Sequence, residues 1–155
     1  MKLIEKSIAS IKPLNDEVFE QANVRLANQA RPAGSLGMLE PTSARLAAIF
    51  STLDVRLDNK VIVTCAGDHG VTEEGVSLFP QEVTAQMVFN FVGQGASINI
   101  LAKHAGARVK VADLGVNFDF DPDLPIFHKK VGKGTANFAR VPAMSSQDAV
   151  RSVEA

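Results

Sequence analysis

Val61-Ile62-Val63-Thr64-Cys65-Ala66-Gly67-Asp68-His69-Gly70 is the stretch whose reading decides the fold. Its first six residues are a short continuous apolar, β-branched run, the mark of a strand covered on both faces of a parallel sheet. Cys65 inside it reads as a small buried hydrophobe. After a loop carrying Glu73, Glu74 and Gly75, Pro80 opens a helix. The spacing of Val83, Met87, Phe91, Ile98 and Leu101 carries that helix to about Lys103, with Gly93 and Gly95 weakening its middle. Arg108–Gly115 is a second strand, so the order is strand, long helix, strand: a βαβ unit with a right-handed crossover expected.

Upstream, Met1 to Phe50 reads as two helices, one around Leu14, Val18 and Phe19 and one around Leu39, Leu46, Ile49 and Phe50. Arg31-Pro32-Ala33-Gly34-Ser35-Leu36-Gly37 between them is a loop of defined shape, and Pro41 fits the first turn of the second helix. Downstream, Ile126–Val131 is a weaker strand and Gly132–Phe138 a loop. Ser145 with Asp148 three residues on resembles an N-cap opening a last helix. That helix reaches Ala155 without a stop signal, so the chain is expected to be the front portion of a longer protein. The fold class is α/β: N-terminal helices over 1–57, then over 58–155 the first part of a parallel-sheet, Rossmann-like three-layer domain, incomplete at its end.

Composition narrows the function. The chain has 155 residues, 46% of them hydrophobic and 21% charged, which excludes wholesale disorder. Sixteen Lys and Arg against seventeen Asp and Glu give a net charge of -1, which provides no global field to hold nucleic acid or an anionic membrane. A single cysteine cannot close an internal disulfide. The first residues carry charge too soon for a signal peptide, and no apolar run reaches the roughly 18 residues that span a bilayer. A cytoplasmic location is expected.

In open parallel sheets ligands sit beyond the carboxyl ends of the strands. Asp68 and His69 stand there after the first strand and Asp113 after the second. An aspartate and a histidine at that place can bind metal or move protons. Equally, Asp68 can cap backbone amides of its own turn while His69 packs against a helix, and the same alternative holds for Asp113. Lys133 in Gly132-Lys133-Gly134-Thr135 can touch phosphate or simply lie exposed, since Phe127 stands where a Walker motif would need its first glycine. Gly93-Gln94-Gly95 lacks the third glycine of a dinucleotide fingerprint and reads as a packing notch in a helix. His104 and His128 have no partner at metal-ligand spacing.

Three segments in order are more specific than any one of them. They are Arg31–Gly37; Ala66-Gly67-Asp68-His69-Gly70-Val71 through Glu74-Gly75-Val76-Ser77 and Pro80–Thr84; and Gly134-Thr135-Ala136-Asn137-Phe138 with Pro142-Ala143-Met144. Together they resemble the nicotinate-nucleotide-dimethylbenzimidazole phosphoribosyltransferase family over nearly the whole chain, but over only about the first half of the family's length. Arg31, where the family commonly has lysine, and Pro41 depart from the pattern. The resemblance implies transfer of ribose phosphate from nicotinate mononucleotide to dimethylbenzimidazole in cobalamin nucleotide-loop assembly, by a homodimer with no metal or cofactor.

It also implies that the proton-accepting glutamate lies beyond Ala155, so no catalytic residue is expected here and the chain alone is expected to be inactive. An acceptor-ring pocket of Ser77, Phe79, Gln86 and Met87 is implied, Gln86 giving one hydrogen bond to a ring nitrogen, with Gly34, Ser35, Gly37, Asp68 and His69 as supporting loops; the alternative is that Phe79 and Met87 are core. The alternatives are a benzimidazole-binding or regulatory module without catalysis, and a metal-dependent hydrolase built on Asp68 and His69.

Overall fold

A computed structural model describes residues 2–155; Met1, which the sequence places at the start of the helical stretch, lies outside the described residues. The chain divides into two compact units, Glu5–Asp58 and a larger one of residues 2–4 with Asn59–Ala155.

Three helices precede the first strand where the sequence suggested two: α1 (Lys2–Ser10), α2 (Asp16–Ala27) and α3 (Leu39–Phe50). Pro13 explains the extra break, because it has no N–H to donate and disfavours helical backbone at Lys12 before it. The Asn15 side chain then restarts the helix by accepting the Val18 N–H at 3.1 Å. In the helical unit α2 and α3 pack through Ala22, Ala44 and Ala47, small residues flanked by half-buried Val18, Phe19, Leu26 and Val55. Pro41 lies in the first turn of α3, where a missing N–H costs nothing. The Arg31–Gly37 loop is tied to that same turn. The Arg31 guanidinium pairs with Glu40, and the Glu40 carboxylate accepts the Leu36 N–H at 3.2 Å. The Leu36 amide first, and the Arg31 side chain next, hold the Glu40 carboxyl below the usual carboxylate range.

The larger unit is a three-stranded parallel sheet in the order β1 (Lys60–Gly67), β2 (Ala107–Gly115), β3 (Phe127–His128). Between β1 and β2 the chain makes a 3-10 helix, Gly70–Glu74, and then two α-helices. The expected single helix to Lys103 is instead α4 (Glu82–Val92) and α5 (Ser97–His104). Gly93 ends α4, Gln94 takes a left-handed φ of 60°, and Ala96 is extended. Asn99 bridges the gap: its side chain accepts the Ala96 N–H at 3.2 Å and donates to Phe91 O at 3.0 Å. Gly93-Gln94-Gly95 is therefore a helix end and not a notch within a helix. The last helix, α6 (Ser146–Glu154), starts where Ser145 accepts the Asp148 N–H at 3.1 Å. The Glu154 carboxylate accepts the Leu3 N–H at 3.1 Å, satisfying one of the orphan donors at the start of α1.

The core lies on one face of the sheet. Ala66 and Val111 meet Ala85 and Val88 of α4, and Val116 and Phe120 complete the cluster. The other face corrects the expectation of a strand covered twice: Val61 and Val63 are 46% and 56% exposed, and Cys65 is exposed as well. Val61, Val63 and Cys65 share one parity of the strand, opposite to Ala66. The continuous apolar run thus reported a strand whose second face stays open at Val61 and Val63, while Cys65 at its carboxyl end lines a cavity with Met144 and the α6 residues Asp148 and Ser152.

Beyond β1 the backbone runs against the loop after β3. Gly70 donates its N–H to Thr135 O at 3.0 Å, and Thr135 donates to Asp68 O at 3.0 Å. A Cβ on Gly70 would stand 2.6 Å from Asn137 N and 2.8 Å from Ala136 C, both backbone atoms. Gly70→Ala is therefore expected to cost about 1–3 kcal/mol, read as a lower midpoint in thermal or urea unfolding. Gly132→Ala, with no neighbour nearer than 3.9 Å, is expected to be close to neutral.

Candidate functional site

Two buried carboxylates hold the carboxyl ends of the strands. Asp113, 1% exposed, accepts the Val116 N–H at 2.9 Å and pairs with Lys130 at 3.0 Å. Lys130 also donates to the carbonyls of Val116 and Phe118. Asp68, 6% exposed, accepts the Asn117 N–H at 2.7 Å, while its own N–H donates to Gly115 O at 3.0 Å. Asp68 thus caps the exit of β2 instead of its own turn. The segment it holds carries Phe118, whose ring meets Phe89 edge-on at 5.8 Å.

His69 is exposed and belongs to the same junction. Its carbonyl accepts from the Gln81 side chain at 3.1 Å and from the Thr72 hydroxyl at 3.0 Å, which ties the start of α4 to the exit of β1. Its ring Nδ1 lies 3.4 Å from Thr135 Oγ1. Opposite, Asn137 is buried and donates to Glu74 at 2.7 Å; Arg140 pairs with the same carboxylate at 2.8 Å. Among the described residues no group of three His, Cys, Asp or Glu side chains could hold a metal ion.

Three cavities open around Asp68. One, of about 380 Å³, is lined by Thr64, Asp68, His69, Ser77, Phe79 and Met87 among others. A second, of about 320 Å³, lies between His69, Gly132, Thr135, Met144 and the α6 residues Asp148 and Ser152. A third, of about 310 Å³, takes Gln86 with Asp68, Phe89, Asn117 and Phe118.

Ser77, Phe79 and Met87 are therefore brought together with Asp68 and His69, whereas Gln86 lines a different cavity from Phe79 and Met87. One step along a helix turns a side chain by about 100°, which separates Gln86 from Met87. The Ser77 hydroxyl is engaged by its own turn, donating to Phe79 O at 2.8 Å and accepting the Phe79 N–H at 3.2 Å. Gly34, Ser35 and Gly37 belong to the helical unit. Gln81 and Thr64 were not anticipated. Thr64 had a visible signal, a hydroxyl in mid-strand within an apolar run; Gln81 stands at a helix start within Pro80–Thr84, one of the segments that carry the resemblance.

A family model described as phosphoribosyltransferase matches residues 11–155. Over 154 residues the chain is 49% identical to the nicotinate-nucleotide-dimethylbenzimidazole phosphoribosyltransferase of Citrifermentans bemidjiense, covering 99% of this chain and 44% of that protein. The chain belongs to this family. The protein of the same name from Syntrophobacter fumaroxidans is 52% identical over 151 residues, 97% of this chain and 43% of its own length. A crystal structure of the family's protein from Thermus thermophilus superposes with a TM-score of 0.82 at 43% identity, over 89% of this chain and 42% of that one. The chain thus spans less than half the length of the family members it matches.

Lys133 donates to Asp119 at 2.6 Å, with both side chains more than half exposed. This hydrogen bond is the main cause holding the Asp119 carboxyl below its ordinary range. A lowered native pKa means that the pair's stabilisation is present above the ordinary carboxylate value and is lost as pH falls through the lowered one. Lys133→Gln is expected to move the Asp119 titration upward, towards the ordinary value, in carboxyl-carbon NMR. An unmoved titration would show that the pair does not persist in solution.

Proposed function

We propose that this chain forms the acceptor-ring half of an enzyme that transfers ribose phosphate from nicotinate mononucleotide to 5,6-dimethylbenzimidazole, giving the α-riboside phosphate and nicotinate. The observation that carries this reading is the cavity in which Ser77, Phe79 and Met87 come together at the carboxyl end of β1, beside Asp68 and His69. A flat apolar ring gains most from aromatic and thioether surface, and Phe79 and Met87 provide both. The activity that names the relatives, nicotinate-nucleotide-dimethylbenzimidazole phosphoribosyltransferase, supplies the substrate pair.

The chemistry suits the parts. Nicotinate bonded to ribose is cationic at its ring nitrogen and leaves as a neutral pyridine, so the bond to ribose is already activated. What the protein must add is alignment of the two rings and removal of the benzimidazole proton. The proton acceptor is assigned to the family's chain outside the matched portion, as are most phosphate contacts. Asp68, Glu73 and Glu74 keep structural duties instead: Asp68 holds Asn117, and Glu73 and Glu74 receive Asn137 and Arg140. In the whole enzyme the sheet is taken to continue as a Rossmann-like three-layer domain. The protein is taken to act in the cytoplasm as a homodimer; no helix among the described residues is long and apolar enough to cross a membrane. Exposed Val76, Leu78 and Phe79 give a second copy apolar surface to cover.

Titration of the chain with 5,6-dimethylbenzimidazole, followed by amide NMR, is expected to shift His69, Phe79 and Met87, and Met87→Lys to abolish the shifts. Light scattering of the same samples is expected to show a species larger than 16.5 kDa. With nicotinate mononucleotide added, no α-riboside is expected, since loss of a general base alone costs about 10²- to 10⁴-fold. Shifts confined to residues away from β1 and α4 would overturn the pocket reading. Turnover near that of a full-length relative would overturn the placement of the base.

A further inference from the structure

Thr64 stands midway along β1 on the same parity as Ala66, which shares the core with Ala85 and Val88 of α4. It lines the cavity that also holds Ser77, Phe79 and Met87. Its Oγ1 is covered and has no hydrogen-bond partner, the one side-chain oxygen or nitrogen so placed among the described residues. A covered hydroxyl without a partner costs folding free energy that valine, of nearly the same shape, would not incur. A protein that pays this in the middle of an apolar strand has a use for the hydroxyl.

We infer that Thr64 reads a ring nitrogen of the acceptor. This inference rests on the proposed acceptor cavity and names a specificity-determining residue within it. The other sequence-expected source of that hydrogen bond, Gln86, lines a different cavity, and the Ser77 hydroxyl is taken up by Phe79. Thr84 and His69 also line the cavity, but among the described residues Thr64 alone there carries a covered side-chain oxygen with no partner. Its hydroxyl can donate to the lone pair of one ring nitrogen or accept from the N–H of the other. Rotation about χ1 between staggered wells re-aims it without moving the strand. The surrounding Phe79, Met87 and Phe91 accept the carbocyclic part of a flat bicyclic ring but offer its nitrogens nothing. The substrate class selected is therefore a fused aromatic ring with an azole nitrogen, preferred over a hydrocarbon of the same outline.

The test compares wild type, Thr64→Val and Thr64→Ser, each titrated by NMR with 5,6-dimethylbenzimidazole and with indene, a ring of similar shape that has no nitrogen. Thr64→Val is expected to melt at a higher temperature than wild type without ligand and to bind dimethylbenzimidazole about 3- to 10-fold more weakly. Indene affinity is expected to stay unchanged, and Thr64→Ser to keep the preference for the nitrogen ring. Equal dimethylbenzimidazole affinity in wild type and Thr64→Val would overturn this inference while leaving the acceptor cavity standing. An equal loss for both rings would overturn it too, because shape and not hydrogen bonding would then be responsible. If wild type binds neither ring at the cavity, the acceptor reading falls and the role of Thr64 falls with it.

Discussion

Everything at the carboxyl end of the sheet depends on a short parallel pairing between residues far apart in the chain, Asp68–Gly70 with Thr135. Two backbone hydrogen bonds, each of 3.0 Å, make it, and the isolated bridge between His69 and Thr135 records it. Such a pairing brings main chains closer than side chains normally allow. Gly70 and Gly134 make it possible: a Cβ on Gly70 would meet the backbone of Asn137, and one on Gly134 would stand 3.0 Å from Asp68 O. Gly134 also takes a φ of +89°, which residues with a Cβ rarely adopt. The family segments Gly67-Asp68-His69-Gly70 and Gly134-Thr135-Ala136-Asn137 thus have one physical reason to occur together.

The pairing organises chemistry by holding side chains that belong to different elements. Asp68 reaches Asn117 beyond β2, and Gln81 reaches back to the His69 carbonyl from the start of α4. Asn137 joins Glu74 across the paired loops. Three cavities open around this junction. The charged groups involved are committed to structure.

The sequence exposed those parts of the fold that depend on local chemistry. The two long strands, the loop after β3 and the Ser145 cap follow from β-branched runs, glycines and a hydroxyl followed by a carboxylate. Parts decided by competition were harder to read. Near-helical spacing on both sides of Gly93–Ala96 concealed a break that the Asn99 side chain stabilises. The apolar run of β1 announced burial, yet Val61, Val63 and Cys65 are exposed, because a run reports what a strand can bury and not what lies against it. In the site, the family resemblance names Ser77, Phe79 and Met87, and the structure places all three on one cavity. The resemblance names Gln86 with them as well, but one helical step from Met87 turns it towards Phe89 and Phe118. The Thr64 hydroxyl is visible in the sequence as a polar group in an apolar run, but that it has no partner is seen only in the folded chain.

Scalar coupling across hydrogen bonds tests the central claim most directly, since it reports a particular donor and acceptor. The account predicts measurable coupling from Thr135 N to the Asp68 carbonyl carbon and from Gly70 N to the Thr135 carbonyl carbon, with slow exchange of both amide protons. Absence of both couplings together with rapid exchange would show that the loops are not paired in solution, and the cavities built on that pairing would lose their basis.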